Sequence, residues 1–117
     1  MRIHHLAFRT ADLATLERFY KDTLGLAELR RDDGRSVWLG AEGAVVMLER
    51  RDASEPSVDA ASMELVCFAI APDAYRAVLA RLTARGVAIE ARTAYTLYFR
   101  DPDGRRVGVS SYPHALT

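Results

Sequence analysis

An internal repeat restricts the fold of this chain more than any other sequence feature. Leu6-Ala7-Phe8 matches Val66-Cys67-Phe68 at an offset of 60 residues, and the predicted turn at residues 40–43 matches residues 101–104 at an offset of 61. Two copies are too few for a solenoid, in which many repeats stack to bury a continuous core. The repeat therefore predicts two similar modules, each of about fifty residues.

Both copies contain the same order of predicted elements. In the first copy the alternation of residues 2–10 predicts a strand, and Asp12 caps a helix that ends at Gly25. The other strands of this copy are predicted at residues 26–29, 35–39 and 44–50. The second copy has a strand at 63–70, a helix from Pro72-Asp73 to Gly86, a short strand at 87–91 and a closing hairpin at 95–112. This order predicts an α+β fold of two β-α-β-β-β modules.

Residues 52–62 lie between the two copies and show no hydrophobic periodicity, so we predict a linker there. The predicted organisation is a single domain over residues 1–117, with module 1 at about 1–51 and module 2 at about 63–112. We expect the modules to be related by a pseudo-twofold axis, with their sheets curled around a central cavity.

The closing hairpin determines which side chains of the second module face such a cavity. The proline and glycine in residues 101–104 (Asp-Pro-Asp-Gly) are typical of a turn, and we predict a four-residue connection that pairs Leu97 with Gly108. Because side chains alternate between the faces of a strand, Tyr95, Leu97 and Gly108 then share one face. This face is predicted to line the cavity.

In the first hairpin the same reasoning pairs Trp38 with Val45 and places both on the face of Met47. If that face lines the cavity, Trp38 supplies a flat apolar wall with one N–H donor. Tyr95 is predicted on the corresponding face of the second module. Core packing explains both aromatic residues as well as ligand stacking does.

Composition and charge exclude several partners. The chain has 16 basic and 16 acidic residues, so it lacks the positive charge that binding to nucleic acid phosphates requires. Its apolar runs are too short for a membrane span, and the N-terminus lacks the order of a signal peptide. Cys67 is the only cysteine, which suits a reducing cytoplasm. The abundance of arginine and alanine is typical of a bacterial genome rich in GC.

The start and the end of the chain resemble the vicinal oxygen chelate superfamily, which includes glyoxalase I, bleomycin- and fosfomycin-resistance proteins and extradiol dioxygenases. The residues that carry this resemblance are His5-Leu6-Ala7-Phe8, Leu13, Phe19-Tyr20, Leu24-Gly25-Leu26 and Asp101-Pro102-Asp103-Gly104. The resemblance implies the paired-module fold, a homodimer and a small-molecule ligand in the cavity.

In metal-using members of this superfamily, four positions on the inner strands hold His, Glu and similar ligands. The resemblance places these positions at His5, Met47, Leu65 and Gly108. Of these side chains only the imidazole binds a divalent cation well, and a catalytic metal normally has three protein ligands. Glu49, on the face of Met47, adds at most a second ligand. We therefore predict no metal and no other cofactor.

The predicted ligand-binding residues are His5, Arg9, Trp38, Met47, Glu49, Leu65, Cys67, Tyr95, Leu97 and Gly108. Several have a simpler interpretation. His5 serves equally as a hydrogen-bonded histidine of the pocket wall, since His4 is predicted to point to the opposite face. Arg9 is either an anion anchor or a solvated strand end. Cys67 is either an inert buried thiol or, less in keeping with its neighbours, a nucleophile.

Three function classes are compatible with the sequence. The first is a metal-free small-molecule-binding protein of the glyoxalase/bleomycin-resistance type, which takes an apolar or aromatic ligand. The alternative is a metal-dependent lyase, isomerase or dioxygenase of the same superfamily with an atypical ligand set. The third is an interaction module without a pocket. The missing metal ligands and the apolar cavity residues favour the first class, and the identity of the ligand does not follow from the sequence.

Overall fold

Two units make up the chain in the computed structural model, which describes all of residues 1–117. The first unit is Met1–Ser57 and the second is Val58–Thr117. The boundary falls inside the segment 52–62 that the sequence analysis predicts as a linker. Each unit contains a four-stranded mixed sheet and a helix in the order β-α-β-β-β, which confirms the predicted α+β class with two modules.

The first unit follows the predicted order of elements. It consists of β1 (His5–Thr10), α1 (Leu13–Arg18), a π-helical segment (Phe19–Thr23), β2 (Ala27–Asp32), β3 (Ser36–Ala41) and β4 (Ala44–Arg50). The strands lie in the order β1-β4-β3-β2. β1 is parallel to β4, and the other neighbours are antiparallel. The helix therefore connects β1 at one edge of the sheet to β2 at the other edge.

The helix of the first unit begins at a side-chain cap and packs through aromatic residues. The Asp12 carboxylate accepts a hydrogen bond from the backbone N–H of Thr15 at 3.1 Å, which satisfies a donor that has no partner within the helix. Hydrogen bonds from the Thr15 hydroxyl and backbone lower the pKa of the Asp12 carboxyl. The fully buried Tyr20 lies with its ring 5.5 Å from that of Phe8 in β1. These contacts fix the helix on one face of the sheet.

The second unit has the corresponding elements. They are β5 (Leu65–Ala69), α2 (Tyr75–Ala84), β6 (Ala91–Arg92), β7 (Thr96–Arg100) and β8 (Arg106–Ser110), with the strand order β5-β8-β7-β6. The buried apolar side chains of α2 and the closing hairpin are Tyr75, Val78, Leu82, Leu97, Phe99, Val107 and Val109. Leu97 and Phe99 alternate along β7, as Val107 and Val109 do along β8, so one face of this sheet is the core face.

The register of the first hairpin differs from the prediction by two residues. The turn is shorter than predicted, so Ala41 pairs with Ala44 and Trp38 pairs with Met47 rather than with Val45. Gly43 takes the left-handed backbone conformation that closes this turn (φ 78°). A shift of two residues preserves the alternation of side chains, so Trp38 still shares a face with Val45 and Met47.

The register of the closing hairpin differs by one residue, and this changes the faces. Gly104 (φ 90°) forms a bulge, so Leu97 pairs with Val109 and Tyr98 pairs with Gly108. The predicted pairing of Leu97 with Gly108 is wrong. Leu97 lies on the core face and is 1% exposed, so it does not share a face with Gly108.

Candidate ligand-binding site

The first sheet has one face that the helix does not cover, which we call the open face. Its side chains come from Ala7 and Arg9 of β1 with His5 at its start, Arg30 of β2, Ser36 and Trp38 of β3, and Val45, Met47 and Glu49 of β4. Trp38 and Met47 are half-buried neighbours in adjacent strands. The His5 ring lies 5.5 Å from the Trp38 ring at a tilt of 45°. The open face thus holds five of the predicted binding residues, and the aromatic and apolar ones among them, His5, Trp38 and Met47, lie close together.

A bulge in β2 adds two residues to this face that the sequence analysis missed. Glu28 pairs with Leu39 and Arg30 pairs with Trp38, so Leu29 is an extra residue between the two pairs. The Arg30 guanidinium carbon lies 5.9 Å from the centre of the Trp38 ring. The predicted strand ended before Arg30, and no turn residue or change of composition marks the bulge.

Leu29 also lies against the open face. Its methyl carbons are 3.3 and 3.4 Å from the position that a Cβ of Gly40 would occupy. The absence of a side chain at Gly40 therefore lets Leu29 fold onto the sheet, although its own surface is 61% exposed. Together with Trp38 it gives the site an apolar rim.

Arg9 and Glu49 are held in ion pairs at one end of the open face. Arg9 Nη1 lies 2.9 Å from Glu49, and Arg9 Nε and Nη2 donate to the two oxygens of Glu55 at 2.6 and 2.8 Å. These hydrogen bonds raise the pKa of Arg9 and lower that of Glu55. A ligand anion at Arg9 would have to displace two carboxylates, so the anion-anchor role predicted for Arg9 is not favoured by this geometry.

The predicted residues of the second unit lie on β5 and β8. Leu65 pairs with Arg106, and Cys67 pairs with Gly108. A Cβ at Gly108 would lie 3.1 Å from the carbonyl oxygen of Leu97 and 3.2 Å from Sγ of Cys67. Gly108 is therefore enclosed and leaves no gap for a ligand. Cys67 is exposed, so the interpretation of this residue as a buried thiol is wrong. Partial desolvation of the sulfur by neighbouring atoms still raises the pKa of the thiol, which disfavours the thiolate and hence a nucleophilic role.

Tyr98, rather than Tyr95, is the counterpart of Trp38. It pairs with Gly108 as Trp38 pairs with Met47, and the Arg106 guanidinium lies 4.3 Å from the centre of its ring. Tyr95 precedes β7 and packs edge-on against Tyr112 at 5.2 Å. The bulge at Gly104 conceals this correspondence in the sequence, because it shifts the pairing by one residue.

Each unit also has a surface cavity of its own. The cavity of the second unit measures about 640 Å³ and is lined by Val58, Asp59, Ser62, Glu64, Leu65, Val66, Arg105 and Arg106. The cavity of the first unit measures about 490 Å³ and is lined by Arg9, Gly34, Arg35, Glu49, Arg50, Arg51, Asp52 and Ala53. The mixed charges around both cavities do not define one class of ligand.

The residues at the superfamily's metal positions do not fit a divalent metal ion. Leucine and glycine side chains have no donor atom, and the thioether of Met47 is a soft ligand. Glu49 is occupied by Arg9, and Nδ1 of His5 lies 2.9 Å from Nδ1 of His4. The prediction that His4 points away from His5 is therefore wrong. No group of three or more His, Cys, Asp or Glu residues in the chain is arranged to hold a metal.

No helix of this chain has the length and apolar character that crossing a bilayer requires.

Several solved structures share this fold. A glyoxalase/dioxygenase from Nostoc punctiforme aligns with a TM-score of 0.79 and 22% identity over 92% of this chain and 88% of that chain. A lactoylglutathione lyase from Agrobacterium tumefaciens aligns with a TM-score of 0.70 and 25% identity over 93% and 92%. The fosfomycin resistance protein FosX from Listeria monocytogenes has a TM-score of 0.76 and 15% identity over 94% and 90%.

The model of one protein family matches residues 2–109, which is nearly the whole chain. Its description agrees with the resemblance of the opening and closing motifs, and with the two β-α-β-β-β units. The chain belongs to the Glyoxalase/Bleomycin resistance protein/Dioxygenase superfamily.

Proposed function

We propose that this protein binds an apolar or aromatic small molecule on the open face of the first sheet, without a metal ion. The observation that carries the proposal is the group of Trp38, Met47 and His5, in which the thioether of Met47 stands where the resemblance expects a metal ligand and the Trp38 ring lies beside it. Trp38 lies between the His5 ring at 5.5 Å and the Arg30 guanidinium at 5.9 Å. Its half-buried ring is thus held in place and still accessible.

The chemistry of this face suits a ligand with an apolar body. Binding sites for small molecules are lined mainly by apolar and aromatic side chains with a few polar groups that fix orientation. Covering apolar surface contributes roughly 25 cal/mol per Å², and an aromatic pair adds about 0.5–1.5 kcal/mol. Val45, Met47 and Leu29 supply apolar surface around the Trp38 ring.

The experiment is calorimetric titration with 2-naphthamide, a neutral aromatic probe, combined with tryptophan fluorescence. Trp38 is the only tryptophan, so its emission should change on binding. Trp38→Ala should weaken binding about fivefold or more, because an aromatic contact of about 1 kcal/mol is lost.

Tyr95→Ala is the matched control, because Tyr95 is an aromatic residue of the second unit that packs on Tyr112. It should leave the affinity unchanged. Binding that depends on Tyr95 and leaves Trp38 emission unaltered would place the site elsewhere.

The alternative, a metal-dependent lyase, isomerase or dioxygenase, requires a metal ligand set built around His5 and Glu49. Elemental analysis of the purified protein separates the two functions. We expect well below one zinc, nickel, manganese or iron per chain, since the side chains offer too few hard donors. About one equivalent of any of these metals would favour the enzyme.

We also propose that the chain forms a homodimer and acts in a bacterial cytoplasm. The outer strands of both sheets support the first part, because an exposed strand edge invites pairing with another chain. The single cysteine, Cys67, suits a reducing compartment.

A further inference from the structure

We propose that the ligand of the open face carries a carboxylate and that Arg30 binds this group. The inference rests on the proposed function and specifies the chemical class of the ligand: an apolar or aromatic monocarboxylate, with its ring on Trp38 and its charge at Arg30.

The bulge in β2 is the first observation behind this assignment. Without the extra residue Leu29, the pairing of Glu28 with Leu39 would continue as Leu29 with Trp38 and Arg30 with Val37. Arg30 would then point to the core face, because Val37 is fully buried there. The bulge instead turns Arg30 to the open face beside Trp38. Bulges are common next to binding sites, where they redirect a side chain in this way.

The second observation is the distribution of charge partners among the nearby arginines. Arg9 is neutralised by Glu49 and Glu55. Arg31, the next residue, pairs with Glu17 and Glu28 on the helix side.

Arg30 forms no ion pair, and its guanidinium contacts the Trp38 ring. The open face therefore has one cation that lacks a carboxylate partner.

The surroundings of the Arg30 guanidinium explain why a carboxylate is the expected group. Its central carbon lies 5.9 Å from the centre of the Trp38 ring, within the range of a cation–π contact, and no carboxylate of the chain pairs with the N–H donors at the edge of its planar fork. A carboxylate binds such an edge through two parallel hydrogen bonds, which are stronger than hydrogen bonds between neutral groups. A ring attached to that carboxylate can then lie along Trp38, with Leu29 at its side. Arg30 and Trp38 are adjacent, so a short ligand reaches both.

The test compares two probes that differ only in charge, 2-naphthoate and 2-naphthamide, by calorimetric titration of the full chain. Wild type should bind naphthoate about tenfold more tightly than naphthamide, as expected for a hydrogen bond to a charged group. Arg30→Gln should abolish this preference, because naphthoate affinity should fall to that of naphthamide for the same variant.

Arg30→Lys should retain part of the preference, because lysine keeps the charge without the planar fork. The matched control is Arg18→Gln, which removes an exposed arginine from the helix of the same unit. It should leave both affinities unchanged.

The possible outcomes separate failure of the carboxylate inference from failure of the proposed function. Equal affinities of the wild type for naphthoate and naphthamide would overturn the carboxylate inference and leave the apolar site intact. A preference for naphthoate that persists in Arg30→Gln would place the anion at another residue and also overturn it. Failure of both probes to bind would overturn the proposed function and the inference together.

Discussion

At the residue scale, Gly108 of β8 can accept one additional carbon atom only if its neighbours shift. The nearest atoms to a Cβ there would be a backbone oxygen of β7 at 3.1 Å and Sγ of Cys67 at 3.2 Å. A side chain end can rotate away, but a backbone carbonyl within a sheet cannot. An acidic side chain in place of Gly108 would therefore disturb the sheet.

We predict that Gly108→Ala lowers the free energy of unfolding by about 1–3 kcal/mol, the usual cost of overpacking a closely packed site. Urea denaturation with fluorescence detection measures this. The control is Gly40→Ala, whose Cβ would meet only the methyl groups of the exposed Leu29. Since Leu29 can rotate, this variant should lose clearly less stability. Equal losses for the two glycines would contradict the argument.

The candidate site also shows at this scale what the sequence can predict. Trp38 and Met47 are predicted on one face because strand alternation is regular there, and the resemblance adds His5 to them; the structure places the three together. Arg30 is missed, because a single extra residue in β2 changes the alternation without a turn residue to mark it. Bulges depend on hydrogen bonding between strands, which a single strand's sequence does not contain.

At the scale of elements, turn geometry decides whether a predicted face is right. The first hairpin is displaced by two residues from its prediction, and every side chain keeps its face. The closing hairpin is displaced by one, so the side chains of β7 change face relative to those of β8, which moves Leu97 into the core and Tyr98 out of it. Turn sequence alone therefore locates a hairpin more reliably than it gives the register.

Asp101 holds the closing hairpin in its register. Its buried carboxylate accepts hydrogen bonds from the backbone N–H groups of Asp103 at 2.9 Å and Arg105 at 3.1 Å, and from the Arg105 guanidinium at 2.5 Å. We predict that Asp101→Ala destabilises the fold by about 3–5 kcal/mol, because two backbone donors lose their acceptor and the mostly buried Arg105 cation keeps only the longer ion pair with Asp103 at 3.8 Å.

Asp101→Asn is the informative companion variant, because it keeps an acceptor oxygen for the backbone and removes the charge. Thermal or urea unfolding should give it an intermediate stability. A variant Asp101→Ala as stable as the wild type would show that the bulge at Gly104 sets the register without Asp101.

The segment after β4 is attached to the first sheet by Glu55, and this attachment should depend on pH. Arg9 lowers the pKa of Glu55 below its ordinary value of 4.5. The ion pair of Glu55 with Arg9 therefore stabilises the folded state fully above about pH 4.5. This stabilisation is lost as pH falls through the lower pKa that Glu55 has in the folded state. We predict that Glu55→Gln is less stable than the wild type near neutral pH and that the difference shrinks on acidification.

Urea denaturation at several pH values between about 3 and 7 measures this difference. Glu42→Gln is the control, because Glu42 is exposed in the turn of the first hairpin and forms no ion pair. It should show no such trend. A constant difference between Glu55→Gln and the wild type across this range would mean that Glu55 acts through packing and not through its charge.

At the scale of the whole molecule, the two repeated units each expose an apolar side chain at the same position. Ile3 and Met63 occupy equivalent positions at the offset of 60, and both precede the outer strand of their sheet, β1 or β5. Both are strongly exposed, at 62% and 64%. Exposed apolar side chains beside unpaired strand edges are typical of surfaces that associate.

We predict a homodimer at about 10 μM that uses these two positions, detectable by light scattering during gel filtration. The double variant Ile3→Ser, Met63→Ser should raise the dimer dissociation constant at least about tenfold, because burying each side chain contributes about 1.5–3 kcal/mol. Tyr112→Ser is the control, since Tyr112 is also a large side chain and is 74% exposed but belongs to the C-terminal segment. It should leave the dimer intact. A monomeric wild type would contradict the predicted dimer, and a dimer insensitive to the double variant would show that it forms through another surface.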